Sequence, residues 1–205
     1  LSTNECLEQL KAKKIIAFQD QKSKEAAPIL GVPITYLPFS ELNGAWEKAD
    51  QDEAKAIADR WQASAADVID VPRETIENSA AMYLGEKAVM EKHGASAITI
   101  NCLGGFYGGH IHAYPCLGFH ELNNQGLVGA CECDVRSTAT MVAFGTLTGG
   151  RPGYISDPVM DSAKRQIIYA HCVAANRVFG PGNEANPFKI MTHSEDRQGA
   201  AVRSI

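Results

Sequence analysis

The chain has 205 residues, 45% hydrophobic and 21% charged, with a formal net charge of −5 at pH 7. That balance is ordinary for a globular protein and excludes a basic nucleic-acid footprint. No apolar run approaches the ~20 residues that a membrane-spanning helix needs.

Residues 4–13 read as an amphipathic helix with Leu7 and Leu10 on one face. KIIAF at 14–18 is a buried-strand signal, and 33–39 is a weaker one. Ser40 is a candidate helix N-cap. Residues 50–65 form a strong helical pattern, and ADVIDV at 66–71 reads as a strand. Pro72 opens a further helix, with Glu74 and Glu77 at its positive end, running to about His93 and stopping at Gly94. The next strand spans 95–103. The strands near 14–18, 34–38, 66–70 and 96–102 are expected in one mostly parallel sheet. This alternation predicts an α/β fold, a Rossmann-like mostly parallel sheet with helices on both faces, followed by the start of a more β-rich segment.

Past Gly126 the pattern changes. A strand at 127–134 leads into a helical run at 137–147, which Gly149, Gly150 and Pro152 break. Strand-like segments follow near 153–156 and 167–173, then a turn-rich loop at 176–187 and a strand at 189–192. The division predicted is 1–126 for the Rossmann-like domain and 127–205 for the start of a second. Leu1 opens a polar stretch without a signal-peptide core, and the chain begins without methionine and stops in AVRSI. These ends predict a piece of a longer protein. Six cysteines without a disulfide or zinc-motif spacing predict reduced thiols and a cytoplasmic setting.

The chemistry concentrates between Asn101 and Asp134. Three of the six histidines, His110, His112 and His120, lie there beside Glu121, Glu132 and Asp134. In a parallel sheet, ligands bind outside the carboxyl ends of the strands, and the loop after Leu103 lies at such an end. His110 and His112, two apart, share a side if extended, and two imidazoles with a carboxylate are a common divalent-metal set. As loop histidines they would need no ligand at all. Strand alternation would put Cys131 and Cys133 on a core face and Glu132 and Asp134 on the other, where acids near an apolar strand call for a metal, a donor or a cation. A simply exposed strand face is the plainer alternative. Glu121 is a weaker acid candidate, equally at home on a surface helix. His171 in QIIYAHC reads as a core histidine by default, and His193 in THSEDRQG as a solvent-loop residue whose polar string could instead line a sugar pocket. No GxGxxG, Walker, GxSxG or HExxH motif is present.

The order PCLGFHELNNQG, ACECDV, TMVAFGTLTGGRP, YAHCV, PFKIMTHSE resembles the L-fucose isomerase / L-arabinose isomerase superfamily, most of all its fucose isomerase-like branch. The resemblance covers about residues 95–205; the first 95 agree with the family's middle domain in architecture. It implies aldose–ketose interconversion of a small-molecule sugar through an enediol-type intermediate, with Mn2+ or another divalent metal, in a homo-oligomer. Asp134 sits where the family's C-E-x-D pattern places an acidic ligand, and His110 stands near the place of a second, upstream acid. The expected site is therefore Asp134, Glu121 and Glu132 as acids, Asp134, His110 and His112 around the metal, and Tyr107, His171 and His193 on the substrate. Asp134 and His110 are expected within metal-bridging distance. A non-catalytic sugar-binding relative and a metal-dependent hydrolase or lyase on a sugar derivative are the alternatives.

Overall fold

Four short apolar strands lie side by side at the centre. In the computed structural model of the chain, which describes residues 3–19, 22–193 and 197–204, β1 (Ile15–Phe18), β3 (Val32–Leu37), β5 (Ala97–Ile100) and β6 (Val128–Cys131) run parallel in one sheet. β2 (Lys24–Ile29) folds back antiparallel onto β3, giving the order β2-β3-β1-β5-β6. Every residue of β1, β5 and β6 is buried, as strands covered on both faces must be.

Alternation along the strands feeds two cores. Ile16, Phe18, Ile98, Ile100 and Cys131 point into one, and Ile15, Val32, Ile34, Ala97, Val128 and Ala130 into the other. The first is closed by α2 (Phe39–Glu47), α3 (Gln51–Ser64), α4 (Arg73–Lys92) and α6 (Cys116–Asn124). The second is closed by α1 (Thr3–Lys11) and α7 (Val135–Leu147), whose Cys6, Leu10, Ala139 and Val142 lie in it. Helix starts follow local chemistry. Asp50 accepts from the amides of Asp52 and Glu53 to open α3, and Pro72 precedes α4. The N-cap expected at Ser40 falls inside α2, which Pro38 opens instead. Gly85 lets α4 pass close to α2, since a Cβ there would lie 2.9 Å from the Trp46 backbone nitrogen.

The 66–70 strand does not join the central sheet as expected. β4 (Asp67–Ile69) pairs parallel with β9 (Phe188–Met191), and β9 pairs antiparallel with β10 (Ala201–Ser204), forming a separate three-stranded sheet. The reason is visible in ADVIDV. Asp67 is exposed, Asp70 ends the strand at φ +56°, and only three residues remain, too polar for a position buried on both faces. β6, beyond residue 126, completes the central sheet, and Phe188, Ile190 and Val202 enter the same core as α6. β7 (Asp157–Asp161) and β8 (Gln166–Ala170) form a two-stranded hairpin that leaves Val159, Met160, Ile167 and Tyr169 exposed. The residues at 153–156 precede this hairpin rather than forming a strand of their own. Among the described residues, no helix is long and apolar enough to cross a membrane.

Candidate functional site

The four parallel strands all end at one edge, and the residues just beyond them form the candidate site. After β5, Asn101 accepts from the Gly104 amide and starts α5 (Cys102–Tyr107). After β6 the chain turns sharply. Glu132 and Cys133 adopt φ +68° and +55°, a left-handed pair without glycine, which costs on the order of 1–3 kcal/mol each. The Cys133 amide donates to the Ile100 carbonyl at 3.1 Å and fixes the turn. The strand therefore stops at Cys131, and the alternation expected through Asp134 is broken: Cys131 is fully buried while Cys133 is only partly so.

Asp134 is the N-cap of α7. Its Oδ1 accepts from the amides of Arg136 and Ser137 at 3.0 Å, and its Oδ2 accepts from the Ser137 hydroxyl. Burial pushes its carboxyl up, but the Ser137 hydroxyl and the two amides outweigh that and hold it below the usual range. Glu132, turned outward and half-exposed, carries an Oε1 that lies 3.8 Å from His171 Nε2. His171 follows the β7–β8 hairpin. The next residue is tied down because the Cys172 carbonyl accepts from the Val202 amide of β10 at 3.0 Å.

Behind this acid–imidazole pair lies a group of thiols. The donor atoms of Cys131, His171 and Cys172 all lie within 4.8 Å of one another. Cys102 is hydrogen-bonded to Cys131, and Cys116 to Cys172, with His193 also bonded to Cys172. Donation from Cys116 and then Cys131 holds the Cys172 thiol well below its ordinary range despite burial. The bond to Cys172, with burial, pushes Cys116 up, and the bonds to Cys102 and Cys172 do the same to Cys131. All six cysteines are free.

The other expected residues lie elsewhere. The His110 ring stacks on Phe39 at 5.8 Å, its carbonyl accepts from Asn43 Nδ2 at 2.6 Å, and His112 meets Trp46 edge-on at 5.6 Å. Both histidines are exposed. Tyr107 is exposed, while Phe106 stacks on Tyr114 at 3.8 Å and Tyr114 tilts over the buried His193. Ser194, Glu195 and Asp196 of the THSED string lie outside the described residues. His120 is buried, with Nδ1 bonded to the Ala174 carbonyl at 2.8 Å, and desolvation lowers its pKa. A cleft of about 560 Å³ between α2 and α4, lined by Glu41, Lys48, Glu53 and Lys92 among others, carries none of the expected residues.

Glu121 is a strut. It accepts from Trp61 Nε1 at 3.0 Å and from Gln125 at 3.0 Å, and it pairs with Arg60 at 3.1 Å, joining α3 to α6. Burial raises its carboxyl, but Arg60 and Trp61 bring it below the usual range. Glu121→Ala is expected to cost about 1–3 kcal/mol by stranding the buried indole N–H and loosening α3. A urea midpoint equal to the wild type's would contradict this role.

A manganese ion is what the family resemblance implies. Among the described residues Asp134, His110 and His112 do not form a group of donors close enough to share an ion. Asp134 is already committed to three donors, and both imidazoles pack on aromatic rings. These three do not fit a shared manganese ion, and no step below runs through one. The Cys131–His171–Cys172 grouping carries no spacing motif. Its sequence signals are only a cysteine that closes β6 and the adjacent pair His171 and Cys172, forty residues downstream.

No family model matches the chain. It is similar to the sulfoquinovose isomerases of Priestia aryabhattai and Priestia megaterium, 25% identical to each over 173 residues, 83% of this chain and 37% of the relative. The sulfoquinovose isomerase of Alkalicoccus urumqiensis is 25% identical over 101 residues, 49% of this chain and 23% of that protein. The chain spans little more than a third of the length of the Priestia relatives and is a distant homologue of proteins named as sugar isomerases.

Proposed function

We propose that this chain belongs to a sugar isomerase that interconverts an aldose and a ketose, with sulfoquinovose as the first substrate to test. The observation that carries this reading is the similarity to sulfoquinovose isomerases over 83% of the chain. The geometry at the sheet edge supports it. Aldose–ketose interconversion moves one proton between C1 and C2 and another between O1 and O2, through an enediol. Glu132, held outward by a strained turn, is the base that takes the proton from C2 and returns it at C1. His171 Nε2, 3.8 Å from that carboxylate, hydrogen-bonds the two oxygens and carries the proton between them. Asp134 fixes the turn through α7 and keeps Glu132 in place.

Glu132→Gln in the full-length protein is expected to lower kcat by about 10²–10⁴-fold with little change in KM, because the amide keeps shape and loses basicity. Loss of C2 deuterium exchange, followed by NMR in D2O, checks the proton-transfer step directly. Unchanged exchange in this variant would remove Glu132 from the mechanism. The scattered positions of Asp134, His110 and His112 favour one second reading, a sugar-binding relative without turnover. Calorimetric sugar binding with no exchange in the wild type would establish it.

A further inference from the structure

We propose that Cys131, His171 and Cys172 form a binding site for a thiophilic divalent ion, Zn2+ foremost, with Glu132 on the far side of the His171 ring. The inference does not depend on the isomerase reading, and its test reads metal content rather than turnover.

The donors are already gathered. Two sulfurs and one imidazole nitrogen lie within 4.8 Å of one another. A tetrahedral zinc site, with bonds of ~2.3 Å to sulfur and ~2.0–2.1 Å to nitrogen, puts its ligand atoms roughly 3.5–3.8 Å apart. Closing the present triangle therefore takes a shift of at most about 1.3 Å, within reach of side-chain rotation. The three come from firmly held places. Cys131 ends a central strand, and Cys172 is tied to β10 through its carbonyl.

The imidazole has one nitrogen to offer. His171 Nδ1 is buried and has no hydrogen-bond partner, which is costly for a polar atom unless something binds there. Nε2 faces the Glu132 carboxylate. A metal on one ring nitrogen and a carboxylate on the other is the usual outer-shell arrangement around a metal-bound histidine. Thiolate is the ligating form of cysteine, so the ion displaces the thiol protons as it binds. Two sulfurs and an imidazole suit zinc, whereas manganese prefers carboxylate, carbonyl and water. Cys102 and Cys116 each touch one of the two thiols and complete a sulfur-rich surround without joining the triangle.

The experiment uses the full-length protein purified under reducing conditions, stripped with chelator and titrated with Zn2+, Co2+ and Mn2+. One Zn2+ per chain is expected, with Co2+ giving a thiolate charge-transfer band and Mn2+ failing to displace Zn2+. Cys172→Ser and His171→Ala are expected to weaken Zn2+ binding more than 100-fold. Glu132→Gln is expected to weaken it about 10-fold, as loss of an outer-shell partner does. Cys133→Ser, outside the triangle, is expected to leave it unchanged. Where a variant fails to fold, the wild-type Co2+ spectrum decides. Absence of the thiolate band, Mn2+ outcompeting Zn2+, equal binding by folded Cys172→Ser, or a Cys131–Cys172 disulfide in the reduced preparation overturns the proposal.

Discussion

Replacing Gly129 with alanine is expected to destabilise the chain by about 3 kcal/mol or more. A Cβ at this position would lie 2.6 Å from the Phe119 Cα and 2.8 Å from its Cβ. The obstruction is α6 backbone, which cannot rotate aside as a long side chain could. Nor can the two elements drift apart. Asn123, fully buried, donates to the Gly129 carbonyl at 2.9 Å and accepts from its amide at 3.0 Å, clamping α6 to β6. Any relaxation leaves buried polar groups stranded, at about 1–3 kcal/mol each. Gly44 in α2 is the control, since a Cβ there meets nothing within 4 Å. Gly44→Ala is expected to stabilise by about 0.5–1 kcal/mol, the cost of glycine in a helix. Urea denaturation of both variants checks the pair, and similar midpoints would contradict it.

Glu86→Met is expected to raise stability by about 1–3 kcal/mol near neutral pH. For a chain of this size that is about 2–4 °C in Tm for each kcal/mol. Glu86 is completely buried on α4, and neither carboxyl oxygen has a hydrogen-bond partner. It lies in the space left by Gly118 of α6, where a Cβ would come within 2.0 Å of Oε2. Burial holds its carboxyl well above the ordinary range and so favours its neutral form in the folded chain. The unfolded chain ionises it above the usual carboxylate pKa. Proton release then favours the unfolded state increasingly as pH rises toward the folded value. Methionine, similar in length, removes that penalty. The gain should therefore be larger at about pH 7 than at about pH 3, where both states hold the proton. A methionine variant less stable than wild type at neutral pH, or a gain independent of pH, would overturn this account of Glu86.

The central strands could be read from sequence because they are buried on both faces. IIAF, AITI and VGAC are near-continuous apolar runs that no helix of that length would produce. Caps were less legible: the one expected at Ser40 falls inside α2, and Asp50, expected only to begin a helical run, caps α3. What failed was whatever depends on where a segment goes. ADVIDV has the composition of a strand, but its partner lies far downstream in FKIM, and nothing within six residues says so. Asp134 is a residue type that caps helices as readily as it binds ions, and only the turn at Glu132 and Cys133 places it at the start of α7. Glu121 and Glu86 both sit on helices that read as ordinary, because one helical turn cannot show that Trp61 or Gly118 will face it. The thiol triangle joins two neighbours, His171 and Cys172, to Cys131, which only the return of the chain to the β6 end brings together.

The pairing of β4 with β9 also sets a timetable. Lys189 and the Asp67 it meets across these strands are 122 residues apart in the chain. At roughly 5–20 residues per second, β4 would wait about 6–24 s on the ribosome before its neighbour exists. During that interval α3 and α4 can dock on the central sheet, but the core flank later covered by Phe188, Ile190 and Val202 stands open. A nascent chain released before Phe188 would expose that flank permanently, and in the cell such a truncation would be a client of chaperones rather than a smaller working protein.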